Sequence, residues 1–297
     1  MDMRKLSSVI PAAGRGSRMY PLTKSVPKEL LPLVDRPCIM HILAEGQRAG
    51  IDSFHVITSP SKPALREFFT MRPGEEPLPN DGFEMPQVDF INQGEPLGLG
   101  HAVLQARASV GDSPFVVQLP DDIFHSEDPL LETLLKVHSV TGGCVVALMK
   151  VSPQEANRYS SAAITPVALD EDIVGGHEVF QLSDIIEKPP VDQVRSAYAL
   201  MGRYVLSPGI FEILEDIPLG YNHEIQLTDA LAAFSQLPPA EGGGVWGVVS
   251  AGRHFDTGNL LGYLAAQTEL ALEHPQLGDP LGQEIRRLFQ SSEGRDL

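Results

Sequence analysis

Several short stretches of this sequence gather side chains that can handle phosphate. Between Lys5 and Lys28 the charged residues are Lys5, Arg15, Arg18, Lys24 and Lys28, and no carboxylate interrupts them before Glu29. In a chain of formal charge −17 that run leaves one locally positive pocket. The glycines and prolines between the charges keep them from lining a helical face. Within the run, Gly14-Arg15-Gly16-Ser17-Arg18 makes a glycine turn directly after an apolar segment, where backbone N–H groups can cradle phosphate. Arg18 adds a permanent charge and a planar fork of donors. Leu119-Pro120-Asp121-Asp122 closes a second apolar run, at the strand end where open α/β sheets place ligand chemistry. Adjacent side chains on extended backbone point opposite ways, so Asp121 is the candidate for the site, with Asp122 supporting it or facing solvent. Taken alone, Asp121 keeps an ordinary alternative as a helix cap, Lys188 of the short Glu187-Lys188-Pro189 reads as readily as a surface lysine, and Asp256 as a turn residue.

What the glycine turn lacks narrows its chemistry. A dinucleotide fingerprint needs a third glycine where Arg18 stands and an acid at the end of the second strand, where Thr58 and Ser59 stand instead. No Gly-Lys-Ser/Thr follows, so a nucleotide-hydrolase phosphate loop is excluded as well. Cys38 and Cys144 have neither disulfide density nor metal-ligand spacing and read as small buried thiols. His101, His125 and His254 read as structural, since transfer between phosphates has no clear need for an imidazole.

The elements that must position these groups alternate. Ser7–Ala13 reads as a buried strand, Ile39–Ala49 as a helix ending at Gly50, and Ser53–Thr58 as a second strand. Strands over Val88–Asn92, Pro114–Leu119 and Gly143–Val151 alternate with helices over Gly100–Ala108 and Leu130–Val140. This pattern predicts an α/β fold with a mainly parallel Rossmann-like sheet and helices on both faces. Thr70–Gln87, rich in Pro, Gly and acids, reads as a surface excursion. After Ser152 the pattern loosens into an insertion forming a second wall of a cleft. It carries short strands near Asp184–Glu187 and Leu200–Leu206, a helix over Glu224–Ser235 and a strand at Gly244–Val249. A helix over Gly258–Ala271 packs on the sheet or on a partner chain, the second outcome making a homo-oligomer, and His274–Leu297 reads as a polar tail.

With 297 residues, 42% hydrophobic and 21% charged, the chain is long enough for one large α/β unit with a packed core. Its acidity excludes a broad nucleic-acid surface, which needs clustered Lys and Arg. Apolar runs are cut by Pro, Gly or charge within about ten positions, short of the ~20 residues of a membrane span. The stretch after Arg4 and Lys5 meets Pro11 and Arg15 too early for a secretory core, so the expectation is a cytoplasmic protein.

The segment Pro11-Ala12-Ala13-Gly14-Arg15-Gly16-Ser17-Arg18, followed by Pro27-Lys28-Glu29-Leu30-Leu31-Pro32, resembles the sugar-nucleotidyltransferases, most closely the bacterial UTP–glucose-1-phosphate uridylyltransferases. The resemblance runs to about Leu272. Gln93-Gly94 with Gly98-Leu99-Gly100-His101 is similar to the family's base-recognition segment, Glu187-Lys188-Pro189 to its sugar-phosphate motif, and Asp121 to its magnesium ligand. Gly202-Arg203-Tyr204, the Glu224–Asp229 segment and Phe255-Asp256-Thr257-Gly258-Asn259 match too, with Asp256 a second metal ligand in the wider superfamily. The resemblance implies one nucleotidyltransferase unit over residues 1–272. Its nucleotide part would cover about 1–151 and its sugar-phosphate part about 152–257, followed by the tail 273–297. It implies UTP and glucose 1-phosphate as substrates, no nucleic-acid or membrane partner, and Mg²⁺ as cofactor, a metal that suits carboxylates and phosphate oxygens better than zinc does. Nucleotide contacts would come from Ala12, Ala13, Gly14, Gly16, Gln93 and Gly98. The sugar phosphate would meet Glu187, Lys188, Gly202 and Glu224, and Arg18, Lys28, Asp121 and Lys188 would carry the chemistry. Transferases using dTTP, ATP or another sugar phosphate, and a binding-only regulatory protein, are the alternatives. One departure stands out: after the tyrosine equivalent to Tyr159 the family usually has Gly, and here Ser160 follows. Its side chain is expected either to crowd the sugar or to offer it a hydroxyl, shifting sugar selectivity.

Overall fold

The computed structural model describes residues 6–70, 83–125 and 127–292. Its strands, in chain order, are β1 (Ser7–Pro11), β2 (Pro32–Leu33), β3 (Arg36–Pro37), β4 (Ser53–Thr58), β5 (Val88–Asn92), β6 (Phe115–Gln118) and β7 (Asp122–Phe124). They continue with β8 (Cys144–Lys150), β9 (Ser160–Pro166), β10 (Val179–Ile186), β11 (Tyr198–Leu206), β12 (Val245–Val249) and β13 (His254–Asp256). Nine of them form one sheet in the order β5-β4-β1-β6-β11-β8-β12-β10-β9, while β7 with β13 and β2 with β3 make two small ribbons.

Successive residues of the central strands enter opposite cores, as the two-residue period of a strand requires. Ile10, Val116, Val145 and Ala147 face one side; Val9, Val117, Val146 and Leu148 face the other. The helices Cys38–Arg48 and Leu130–Thr141 cover the first face with Ile39, Ile42, Leu43, Leu131, Leu134 and Val137. The second face is covered by Leu99–Leu104, Ile210–Asp216 and Leu227–Phe234. Each such fully buried aliphatic side chain contributes roughly 1.5–3 kcal/mol, which makes the three-layer α/β/α packing the main source of stability.

The sheet is mixed rather than mainly parallel in its pairings. β5, β4, β1 and β6 are parallel neighbours, as are β8 and β12. β11 enters between β6 and β8 antiparallel to both, and β10 pairs antiparallel with β12 and β9. A strand buried on both faces is a continuous apolar run whichever way its neighbours point, so periodicity could not announce the reversal. The part after Ser152 shares the sheet of the first half, because β9, β10, β11 and β12 continue it.

The C-terminal segment also differs from expectation. Read as a polar tail, it carries a helix, Gly278–Ser292, that packs on the helix Leu260–Glu273. The latter is capped by Asn259, whose side chain accepts from Gly262 N at 2.9 Å, and Tyr263 ties it to the β2–β3 ribbon through Pro32 O. Its other side leaves Leu261 and Leu264 exposed. Most of the Thr70–Gln87 excursion lies outside the described residues. No helix among the described residues is long and apolar enough to cross a membrane.

Candidate active site

The first cluster is built where the glycine turn, the Pro27–Pro32 segment and the ends of β6 and β13 meet. Lys28 Nζ donates to Asp121 Oδ2 at 2.5 Å, and Arg18 stands 3.7 Å from Asp121 and 3.8 Å from Asp256. Burial opposes the charge of Asp121, but the charge and hydrogen bond of Lys28, then Arg18, hold the carboxyl below its usual range. For Lys28 burial again opposes, and Asp121 and Glu29 outweigh it, so the ammonium stays protonated well above neutral pH. The 255–259 segment locks to this cluster: Thr257 donates from N and Oγ1 to Asp121 O at 2.7 and 2.9 Å, and Gly258 N donates to Asp256 Oδ1 at 2.8 Å. A methyl group on Gly258 would stand 2.6 Å from Asp121 Oδ2 and 2.9 Å from Arg18 Nη2 and Asp256 Oδ1. Only a bare α-carbon lets the two aspartates and the arginine close on one spot.

Asp122 points away from Asp121, as alternation requires. Its carboxylate accepts from Gly202 N at 2.8 Å and pairs with His254 Nε2 at 2.9 Å. Gly202, expected at the sugar, uses its N–H on Asp122, and its carbonyl accepts from Leu119 N and Arg203 Nη1. An added Cβ would lie 2.2 Å from Asp122 Oδ2 and 2.6 Å from Leu119 Cβ. Gly202 thus seats the Leu119–Asp122 turn. Arg203, fully buried, completes the seat. Its Nη1 donates to Leu119 O at 3.1 Å and its Nη2 to Asp122 O at 2.7 Å, while Nε and Nη2 hold Glu45.

A second cluster surrounds Glu187. Ser160 Oγ and Thr228 Oγ1 both donate to Glu187 Oε2, the latter at 2.7 Å. Lys188, with a left-handed backbone (φ 40°), places its ammonium 3.4 Å from Glu187 Oε1 and 5.5 Å from the Tyr221 ring centroid. Ser160 was expected to meet the sugar itself; its hydroxyl is instead engaged by Glu187 and Thr228, so any influence on a ligand passes through Glu187.

The two clusters are joined by β11. Leu200 pairs with Ser160 and, two residues on, Gly202 holds Asp122. Two residues of strand advance about 6.5–7 Å, so β11 links the two clusters through the backbone of Leu200 and Gly202.

The Gln93–His101 segment closes the third side. Gln93 Nε2 donates to Gly98 O at 3.1 Å and approaches His101 Nδ1, leaving Oε1 without a partner among the described residues. The Gly98–Gly100 turn is pinned to Ile225 by Ile225 N to Leu97 O and Gly100 N to Ile225 O, each 2.8 Å. Glu224, next to it, accepts from Gln226 Nε2 at 3.2 Å. Ala12 and Ala13 are buried at the start of the turn, Gly14 is exposed, and Gly16 adopts φ 65° with its carbonyl accepting from Thr23 Oγ1 at 2.7 Å. Both cysteine thiols are pushed up to about 12 by burial, so neither is a nucleophile.

Some contributors had no role assigned from the sequence. Arg203 carried a signal, since a charge inside the apolar run Tyr198–Leu206 must be paired when buried. Glu45, Thr228 and Lys62 carried none, because their partners lie far away in the chain.

A mixed α/β sheet with a glycine turn, a basic pair and two aspartates at its strand ends defines a phosphate-handling nucleotide site. The nucleotidyl transferase family model matches residues 7–271, and the chain belongs to that family. It is 37% identical over 293 residues to the UTP–glucose-1-phosphate uridylyltransferase YngB of Bacillus subtilis, covering 95% of this chain and 94% of that protein. Among solved structures it is similar to a UDP-glucose pyrophosphorylase from Acinetobacter baumannii (TM-score 0.81, 31% identity, 96% of this chain and 99% of that one). It is also similar to a UDP-glucose pyrophosphorylase complexed with UDP-glucose (TM-score 0.78, 32% identity, 91% and 100%).

Proposed function

We propose that the chain catalyses Mg²⁺-dependent transfer of a uridylyl group from UTP to glucose 1-phosphate, giving UDP-glucose and pyrophosphate. The observation that carries this reading is the convergence of Arg18, Lys28, Asp121 and Asp256 at Gly258, with β11 linking the turn that holds Asp121 to the strand whose Ser160 holds Glu187. The names of the relatives point to the same substrates.

Nucleotidyl transfer asks little covalent help of the protein. The sugar phosphate is already ionised at neutral pH, so the obstacle is bringing an anion to an anionic α-phosphorus. On this reading Lys188 holds the attacking phosphate and Glu187, its Oε2 fixed by Ser160 and Thr228, accepts from sugar hydroxyls. The turn N–H groups and Arg18 bind the triphosphate, and Lys28 draws charge toward the departing pyrophosphate. Gln93 offers Oε1 to the N3–H of uracil.

The donor set fits magnesium. Among the described residues no group of three or more His, Cys, Asp or Glu gathers to form an all-protein cage. Asp121 and Asp256 both approach the bare α-carbon of Gly258, a pair of carboxylates that suits an ion bound by one or two carboxylates together with substrate phosphates. When bound there, the ion would neutralise phosphate charge.

Pyrophosphate release is measured with a panel of nucleoside triphosphates and sugar 1-phosphates, with and without chelator. The expected result is turnover with UTP and glucose 1-phosphate that chelator abolishes. Release with dTTP but not UTP would move the protein to a sister activity, and no release with any pair would leave a binding protein.

A further inference from the structure

Lys62 and Glu29 form an ion pair that the reaction above does not use. Glu29 is fully buried and Lys62 is 8% exposed, although neither touches the aspartate cluster directly. Lys62 Nζ donates to Glu29 Oε1 at 3.0 Å, to Glu29 Oε2 at 2.9 Å and to Ala12 O at 2.7 Å. An ammonium has three N–H donors and no acceptor, so all of its hydrogen-bonding capacity is spent. Lys62 therefore has nothing left to offer a ligand. Burial pushes Glu29 up and Lys62 down, and the opposite charge of each works against that shift, with Lys28 adding to the hold on Glu29.

The bond to Ala12 O is the informative one. In a trans peptide the carbonyl and the next N–H point in opposite directions. Fixing Ala12 O toward Lys62 therefore aims Ala13 N–H to the far side, where the glycine turn begins. Ala13 N–H has no acceptor among the described residues, whereas Ala12 N is engaged by Ile57 O at 2.7 Å. The same pair reaches the other arm of the site, because Glu29 directly follows Lys28 in the one-turn helix Lys28–Leu30.

We propose that Lys62, anchored by Glu29, is a positioning residue that turns the Ala12–Ala13 peptide so that Ala13 N–H faces the nucleotide. The proposal rests on the nucleotidyl-transfer reading for the identity of that ligand, and on the geometry alone for the peptide orientation.

Lys62→Met alone leaves Glu29 buried without a partner and can fail to fold, so the deciding variant is Lys62→Met/Glu29→Leu. Replacing both members of a buried ion pair with apolar side chains of similar volume is often neutral or stabilising. Tm, UTP affinity by titration calorimetry and the KM for glucose 1-phosphate are compared with wild type, and the ligand-free variant is crystallised. The expected result is a Tm near wild type and a rotated Ala12–Ala13 peptide. UTP binding should weaken by about tenfold while the glucose 1-phosphate KM changes far less. Full recovery of UTP affinity together with Tm would reduce the pair to a structural one and overturn the proposal. An unrotated peptide overturns it too. If the wild-type chain does not bind UTP, the functional reading falls, and the peptide orientation in the ligand-free variant still decides for or against Lys62.

Discussion

Lys28 Nζ and Asp121 Oδ2 stand 2.5 Å apart, so the cation proposed to act on phosphate is paired with the carboxylate proposed to hold the metal. Each holds the other in its charged form against burial. Asp121→Asn keeps the shape and removes the charge. We expect kcat to fall by about 10²-fold or more, the scale of losing one group that stabilises transition-state charge. Steady-state kinetics at saturating magnesium checks this, and a kcat close to wild type would assign the metal to another group.

Ser160 and Thr228 restrain the same oxygen of Glu187. Ser160→Ala removes one of the two bonds, and a hydrogen bond to a charged group is worth about 1.5–3 kcal/mol. With Thr228 still in place, the lower end applies, so the KM for glucose 1-phosphate should rise about tenfold with the KM for UTP unchanged. The ratio of kcat/KM between glucose 1-phosphate and its epimers should shift in parallel. Equal effects on both substrates would remove Glu187 from the sugar.

Arg203 is inaccessible to solvent and bridges Glu45 to the carbonyls of Leu119 and Asp122. Arg203→Met strands these acceptors, and breaking a buried pair from one side costs about 3–5 kcal/mol. Urea unfolding of the purified variant should show a loss of that size, accompanied by reduced turnover because the Asp121 turn loses its seat. A loss below ~1 kcal/mol would contradict the bridging role.

A pH-dependent contribution comes from His177 and Asp128. His177 Nε2 lies 2.8 Å from Asp128 Oδ1 and Nδ1 lies 2.8 Å from Val174 O, so both ring nitrogens face acceptors and both must carry protons. The bond from Asp128 raises His177 above 6.5 despite burial. For Asp128, burial is outweighed by His177, Gly252 N and Ser250, which hold it below 3.8. A raised histidine stabilises fully below its unfolded value and loses that stabilisation as pH rises through its folded value. The depressed aspartate does the reverse, losing its share as pH falls through its folded value. Tm should therefore decline from about pH 6.5 upward in wild type, and His177→Gln should flatten that limb. An identical slope in both proteins would assign the decline to other groups.

Much of the site was legible because its chemistry is local. The glycine turn, Asp121 at the end of an apolar run and Lys188 after Glu187 are short segments whose residue types state their task. What escaped was long-range. Lys62 and Glu29, or His177 and Asp128, look like solvated charges until folding brings distant segments together. Ser160 was expected to face the sugar, and its bonds to Glu187 and Thr228 were not legible, since a sequence shows that a hydroxyl is present and not where it points. The helix Gly278–Ser292 was hidden by polar composition, although Leu281, Ile285, Leu288 and Phe289 already trace one helical stripe.

The reversed strand β11 has a consequence for biosynthesis. Its residues leave the ribosome after β6 and β8, yet it lies between them, so β6 keeps a bare edge and β8 has no neighbour until about residue 206 has emerged. β12, the other partner of β8, arrives later still. A nascent chain halted near residue 151 would carry the glycine turn, Lys28 and Asp121 on an incomplete sheet with an adhesive apolar edge. Synthesis of the second half is thus what closes the first.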